Sequence, residues 1–238
     1  MASVGPIDEY VAALRASLRG PGGAKRDLLT EARDSLLDAA EAFEGDGHDR
    51  EAAERLAVEE FGAVGAIAPG YQEELAVGQG RRTAALLFIG APMTAFLWAV
   101  IWKFFPESAS TAAIPQPGWF SPLARAVDSV QLGAGVIGAV ALLVLGRGLR
   151  VVPRPALVTR WMGLFVWLQF PIMLLMCLGL TIGARGPEGF SEYAPGVVLS
   201  YASYAFWAWQ LHSAARCLVA TRRPAVTSAG PARFLSRS

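Results

Sequence analysis

Metal ligands and nucleophiles are nearly missing from this chain. Two histidines and two cysteines among 238 residues are too few to assemble a four-ligand zinc site. Cys177 and Cys217 stand at no metal-ligand spacing to each other, to His48 or to His212, and are expected to be unpaired thiols packed as small hydrophobes. The chain also lacks a GxSxG elbow, a GxxxxGKS/T phosphate loop and an HExxH helix. No catalytic, metal-binding or cofactor-binding residue is therefore assigned, and the expected class is non-enzymatic. Acids are scarce beyond residue 80, where only four of the twenty Asp and Glu fall and none lies between Asp128 and Glu188. So acid-poor a region is a weak candidate for a proton-coupled pump. Missing too is a targeting segment: residues 1–6 hold no Lys or Arg and no apolar run follows, which predicts insertion through the first true span.

What the chain does have is apolar length. Four stretches, 84–102, 127–145, 161–182 and 195–215, each approach the roughly 20 apolar residues that cross a hydrocarbon core. The first 80 residues contain no such run, so the pattern predicts a soluble domain followed by a four-helix transmembrane bundle. Arginines orient it. Arg81, Arg82, Arg147, Arg150, Arg154, Arg160, Arg216, Arg222, Arg223, Arg233 and Arg237 fall on the side of the two termini, against Lys103, Arg125 and Arg185 on the other. The positive-inside rule then places both termini in the cytoplasm, as an even number of spans requires.

Net charge divides the chain at the same place. Residues 1–80 carry sixteen acids and seven bases, a net −9, while the remainder carries +10. The basic excess is read as topogenic, holding loops inside against anionic headgroups. A domain of charge −9 repels phosphate, so direct nucleic-acid contact is not expected.

Residues 6–78 read as helices separated by glycines, with no alternating pattern that would suggest a sheet. Ile7, Val11, Leu14 and Leu18 line one face of a first helix, with Pro6 at its start. After Gly20-Pro21-Gly22-Gly23, a second helix over about 24–44 places Leu28, Leu29, Ala32, Leu36, Ala40 and Phe43 on one side. Asp34, Asp38 and Glu41 fall largely elsewhere and are candidate partner-binding residues. Asp49 is typed to cap a third helix, 50–61, which should carry Ala53, Leu56, Ala57 and Phe61 inward and stop at Gly62. A fourth segment over about 64–75 contains Pro69-Gly70, and Gly78 to Arg82 is expected to join the domain to the first span. A core this small gains stability from docking on the membrane part or on a partner.

The order Ile7-Asp8-Glu9-Tyr10-Val11-Ala12-Ala13-Leu14, then Leu28-Leu29-Thr30-Glu31-Ala32-Arg33-Asp34-Ser35-Leu36-Leu37-Asp38, then Gly47 and the run from Glu51 to Gly62, resembles the HAAS and permease-prefix type of helical domain. The resemblance covers about residues 6–76. Its most specific element is the Glu31-to-Asp38 helix followed by Glu60-Phe61-Gly62, and it departs at Gly62-Ala63-Val64-Gly65, where a more polar turn is expected. It implies a bacterial membrane protein with a short cytoplasmic module ahead of several spans, often paired with a PadR-like transcriptional regulator. It transfers no catalytic residue.

Three features of the spans remain. Gly133-Ala134-Gly135-Val136-Ile137-Gly138 matches GxGxxG literally, but a dinucleotide site needs a strand-to-helix turn and a later acid, and this run lies inside an apolar span. The preferred reading is close helix packing through the pairs Ala134 with Gly138 and Gly135 with Ala139. In the fourth span Ser200, Ser203, Tyr204, Trp207 and Gln210 form a polar stripe expected to face the bundle, either as interhelical hydrogen bonds or as a pocket or conduction path. Gln169 before Phe170-Pro171 in the third span, and Asp128 and Gln131 at the outer entrance of the second, could belong to a pocket, with Asp128 placed at the interface, and Pro171 is expected to kink its helix.

The loop 106–123, rich in proline with Trp119-Phe120, reads as an ordered turn or interfacial anchor, and the tail 221–238 as disordered. The expected protein is all-helical, with domains 1–80, 81–220 and 221–238. Its expected role is membrane signalling or regulation through a cytoplasmic protein partner, with a transport or permease component as the alternative. A homo-oligomer stays open.

Overall fold

The computed structural model describes residues 5–104, 117–147, 154–183 and 194–222. Among these, every regular element is a helix and there is no strand. Contacts divide the chain into two compact units, one built on residues up to Leu75 and the other on Ala76–Thr221.

The first unit packs α1 (Pro6–Ser17), α2 (Gly22–Gly45) and α3 (Arg50–Phe61) against one another, with the first part of α4 (Val64–Ala85). The starts and stops follow local chemistry. Pro6 occupies the first turn of α1, where a missing N–H costs nothing. Asp49 accepts a hydrogen bond from the Ala52 N–H at 2.8 Å and caps α3. Gly62 ends α3 with a φ of +102°, a conformation that disfavours a side chain. Leu14 and Leu36 have no accessible surface, and Ile7, Leu18, Leu29, Ala32, Ala40, Ala53 and Ala57 complete the core around them.

Two details differ from the expected faces. Tyr10 is buried, stacking edge-on against Phe61 and donating its hydroxyl to the Gly62 carbonyl at 2.9 Å. Leu56 is only half-buried, and Val58 packs on the core instead. Tyr10 and Val58 stand beside Val11 and Ala57, residues that the apolar spacing does select.

The junction expected at Gly78 to Arg82 is itself helical: α4 continues to Ala85 through Gly78, Gly80, Arg81 and Arg82. It passes into a π-helical turn (Leu86–Gly90) and α5 (Ala91–Phe104). The two units therefore divide inside a helix. Pro69 lies within α4 as well, so the Pro69-Gly70 pair does not interrupt it. The π turn has a local cause. Pro92 has no N–H to donate and its ring crowds the carbonyl four residues back, so the preceding turn widens rather than closing as α.

The second unit adds α6 (Phe120–Arg147), α7 (Pro155–Gly183) and α8 (Ala194–Ala220). Among the described residues, three helices are long and apolar enough to cross a membrane: Val64–Ile101, Phe120–Gly146 and Pro155–Gly183. This makes a multi-pass membrane protein. The segment expected as the fourth span is the 27-residue helix α8, but it is not among those three. Tyr201, Tyr204, Trp207, Trp209, Gln210, His212 and three serines lower its apolar character. Pro171 lies inside α7, which continues through it as one helix. The loops expected over 106–116 and 185–193, the centre of the 147–160 connection and the tail beyond Arg222 lie outside the described residues.

Candidate functional site

The membrane unit is held together where small residues let helices meet. A side chain at Gly138 of α6 would come within 2.6 Å of the Phe88 nitrogen and 2.7 Å of the Ala84 carbonyl oxygen, so only glycine fits against the backbone of α4 and the π turn. Gly135 lies against the Pro92 ring, and Ala134 is buried on the same face, with Ala139 half-buried. Gly133, the first glycine of the GxGxxG run, meets nothing. The run thus sits in a helix–helix seam, and no strand-to-helix turn accompanies it. On the other side of the unit, Gly163 of α7 lies against Ala214, Cys217 and Leu218 of α8.

These seams fix the rotation of each helix, and that rotation gathers glutamines. Gln131 of α6, Gln169 of α7 and Gln210 of α8 line one cavity of about 20 Å³, with Phe170, Phe206 and Trp207 among its walls. Gln131 is buried, while Gln169 and Gln210 are half-buried. Trp207 meets Phe170 edge-on with ring centres 6.2 Å apart, and Tyr204 at 6.1 Å.

The polar stripe of α8 does not act as one face. Ser203 is buried, donates to the Leu199 carbonyl at 2.8 Å and accepts from the Trp98 indole of α5 at 3.2 Å. Ser200 is half-buried and donates to the Gly196 carbonyl at 2.9 Å. Trp207 and Gln210 reach the cavity, but Tyr204 is 60% exposed. Its phenol is amphipathic and tolerates the outer surface, so spacing alone does not turn it inward. Asp128 does not line the cavity.

A second polar cluster was not legible in advance. Gln79 and Thr83 of α4 meet Ser213 and Cys217 of α8, all buried. Gln79 donates to the Ser213 carbonyl at 3.2 Å and to its hydroxyl at 3.1 Å, and Thr83 Oγ1 lies 2.7 Å from Ser213 Oγ and 3.0 Å from Cys217 Sγ. Thr159 of α7 adds a buried hydroxyl against Gly80, without a hydrogen-bond partner. The i, i+4 pairs Gln79 with Thr83 and Ser213 with Cys217 were the available signal, obscured because both lie at the edges of apolar runs. Cys217 is here a hydrogen-bonded structural thiol, and no disulfide links it to Cys177.

In the first unit, Asp34, Asp38 and Glu41 are all exposed on α2, away from Leu29, Ala32, Leu36 and Ala40. Among the described residues none of the three forms an ion pair, unlike Asp8, which pairs with Arg33 at 2.9 Å. No family model matches this chain, and no curated protein or solved structure matches it.

Proposed function

We propose that this is a non-enzymatic signalling or regulatory protein of a bacterial cell membrane, with four spans and both termini in the cytoplasm. Its acidic first unit binds a basic cytoplasmic protein, and a PadR-like regulator is the partner implied by the resemblance of residues 6–76 to HAAS-type domains. The observation that carries the reading is the row Asp34, Asp38 and Glu41, exposed and free of ion pairs among the described residues, on a helix whose opposite face is core. Unneutralised carboxylates on a rigid helix attract a basic surface, and a DNA-binding regulator presents one, so capture competes with its operator. The fourth span rests on α8, which is about 40 Å long at the usual helical rise and holds one charged residue, Arg216.

Binding of the full chain in lipid nanodiscs to a purified PadR-like regulator tests the reading. Binding is expected at low salt, weaker at high salt, and weaker again when Asp34→Asn, Asp38→Asn and Glu41→Gln are combined. A transport component is the second reading, favoured by the glutamine-lined cavity. That cavity, at about 20 Å³, is far below the roughly 300 Å³ of an ordinary small-molecule site. Absence of regulator binding at low salt, together with solute flux that Ser203→Leu and Gln210→Leu abolish, would replace signalling by transport.

A further inference from the structure

A glutamine carboxamide offers two N–H donors and an oxygen with two lone pairs. In hydrocarbon these need partners, since no bulk water is there to supply them. Gln131, Gln169 and Gln210 each lie near the midpoint of their helices, Phe120–Arg147, Pro155–Gly183 and Ala194–Ala220, far from either end. Among the described residues, no protein group is hydrogen-bonded to any of the three carboxamides, although Gln131 is only 7% exposed. What they share is the cavity of about 20 Å³ that all three line.

A water molecule needs roughly 10–15 Å³ of such room and two to four polar partners. The cavity supplies both. We propose that Gln131, Gln169 and Gln210 hold a resident water that hydrogen-bonds α6, α7 and α8 to one another inside the membrane unit. The carboxamides suit this ligand because each can donate or accept, so one water can satisfy all three whichever way its own hydrogens point. Other occupants fit less well. No charged side chain lines the cavity to neutralise an ion, and its volume is too small for an organic solute. The inference is independent of the acidic row on α2.

Two methionines of α7 provide the test. Met162 and Met173 are equally buried, at 4% exposure each, but only Met173 lines the cavity. Millisecond X-ray radiolysis of the full chain in lipid nanodiscs splits water into hydroxyl radicals, which oxidise the side chains touching that water. Met173 is expected to oxidise several-fold faster than Met162, and equal rates overturn the proposal. In a folded Gln131→Leu variant the added apolar bulk and the lost carboxamide should bring Met173 down to the rate of Met162. A Met173 rate that stays high in that variant also overturns it. Should the variant not fold, the comparison within the wild-type chain decides alone.

Discussion

Single residues carry very different weights in the first unit, and burial sorts them. Leu36 has no accessible surface, so Leu36→Ala removes transfer energy and leaves a cavity, at an expected cost of about 2–5 kcal/mol in urea unfolding. Asp38 two positions on is exposed, and Asp38→Ala should stay within about 0.5 kcal/mol. Leu56→Ala should cost clearly less than Leu36→Ala, because the side chain is only half-buried. Asp49→Ala removes the cap of α3 and should cost about 1 kcal/mol. Tyr10 adds a pH signature. Burial, reinforced by Tyr71, raises its pKa above the ordinary 10.0, so folding favours the protonated phenol. The unfolded chain then loses its proton first, and stability that is complete below pH 10.0 falls as pH rises through the folded value. Tyr10→Phe should lose that alkaline decline along with the hydrogen bond to Gly62.

At the level of elements, packing against a neighbour rather than intrinsic propensity separates two glycines of one helix. Gly138→Ala puts a methyl group into the backbone of Ala84 and Phe88, whereas Gly133→Ala points into open space. Thermal unfolding of the full chain in detergent should show a clear fall for the first and no fall for the second, since alanine is the better helix former where it fits. Equal effects would mean that α6 meets α4 through another face. The same contrast explains what could be read in advance. Helices α1 to α3 were legible because Pro6, the glycine-rich turn before α2, Asp49 and Gly62 punctuate them, and Leu14 and Leu36 mark their inner faces. The passage from α4 into the first span was not. Gly78, Gly80, Arg81 and Arg82 look like a linker, yet Gly80 lies directly against the Thr159 and Leu145 side chains. That glycine serves a contact with residues some seventy positions away, which no local pattern discloses. Pro92 was visible in the sequence, but its consequence, the π turn, depends on how the helix relieves the crowding it causes.

For the whole molecule, apolar length carries most of the legible architecture. The glutamine cavity was only half legible: Gln131, Gln169 and Gln210 each stood out as polar residues in apolar runs, but their meeting depends on the rotation of three helices. The status of α8 has the largest consequence. If α8 crosses the membrane, the number of spans is even and the arginines flanking the first span, between α6 and α7, and after α8 share one side. If it lies along the surface instead, the number becomes odd, and Arg216 and the basic tail lie on the side of Lys103 and Arg125, against the positive-inside bias. The packing of α8 on α7 through Gly163, and the seating of Ser213 and Cys217 against Gln79 and Thr83, favour crossing as an inserted helix. In a background with Cys177 and Cys217 replaced by alanine, single cysteines placed within residues 106–123 and 185–193 should react with an impermeant maleimide from outside the cell. Cysteines placed within 147–160 and beyond residue 222 should react only after lysis. Labelling of the 147–160 connection from outside would overturn the orientation, and labelling of the tail from outside would remove the fourth span.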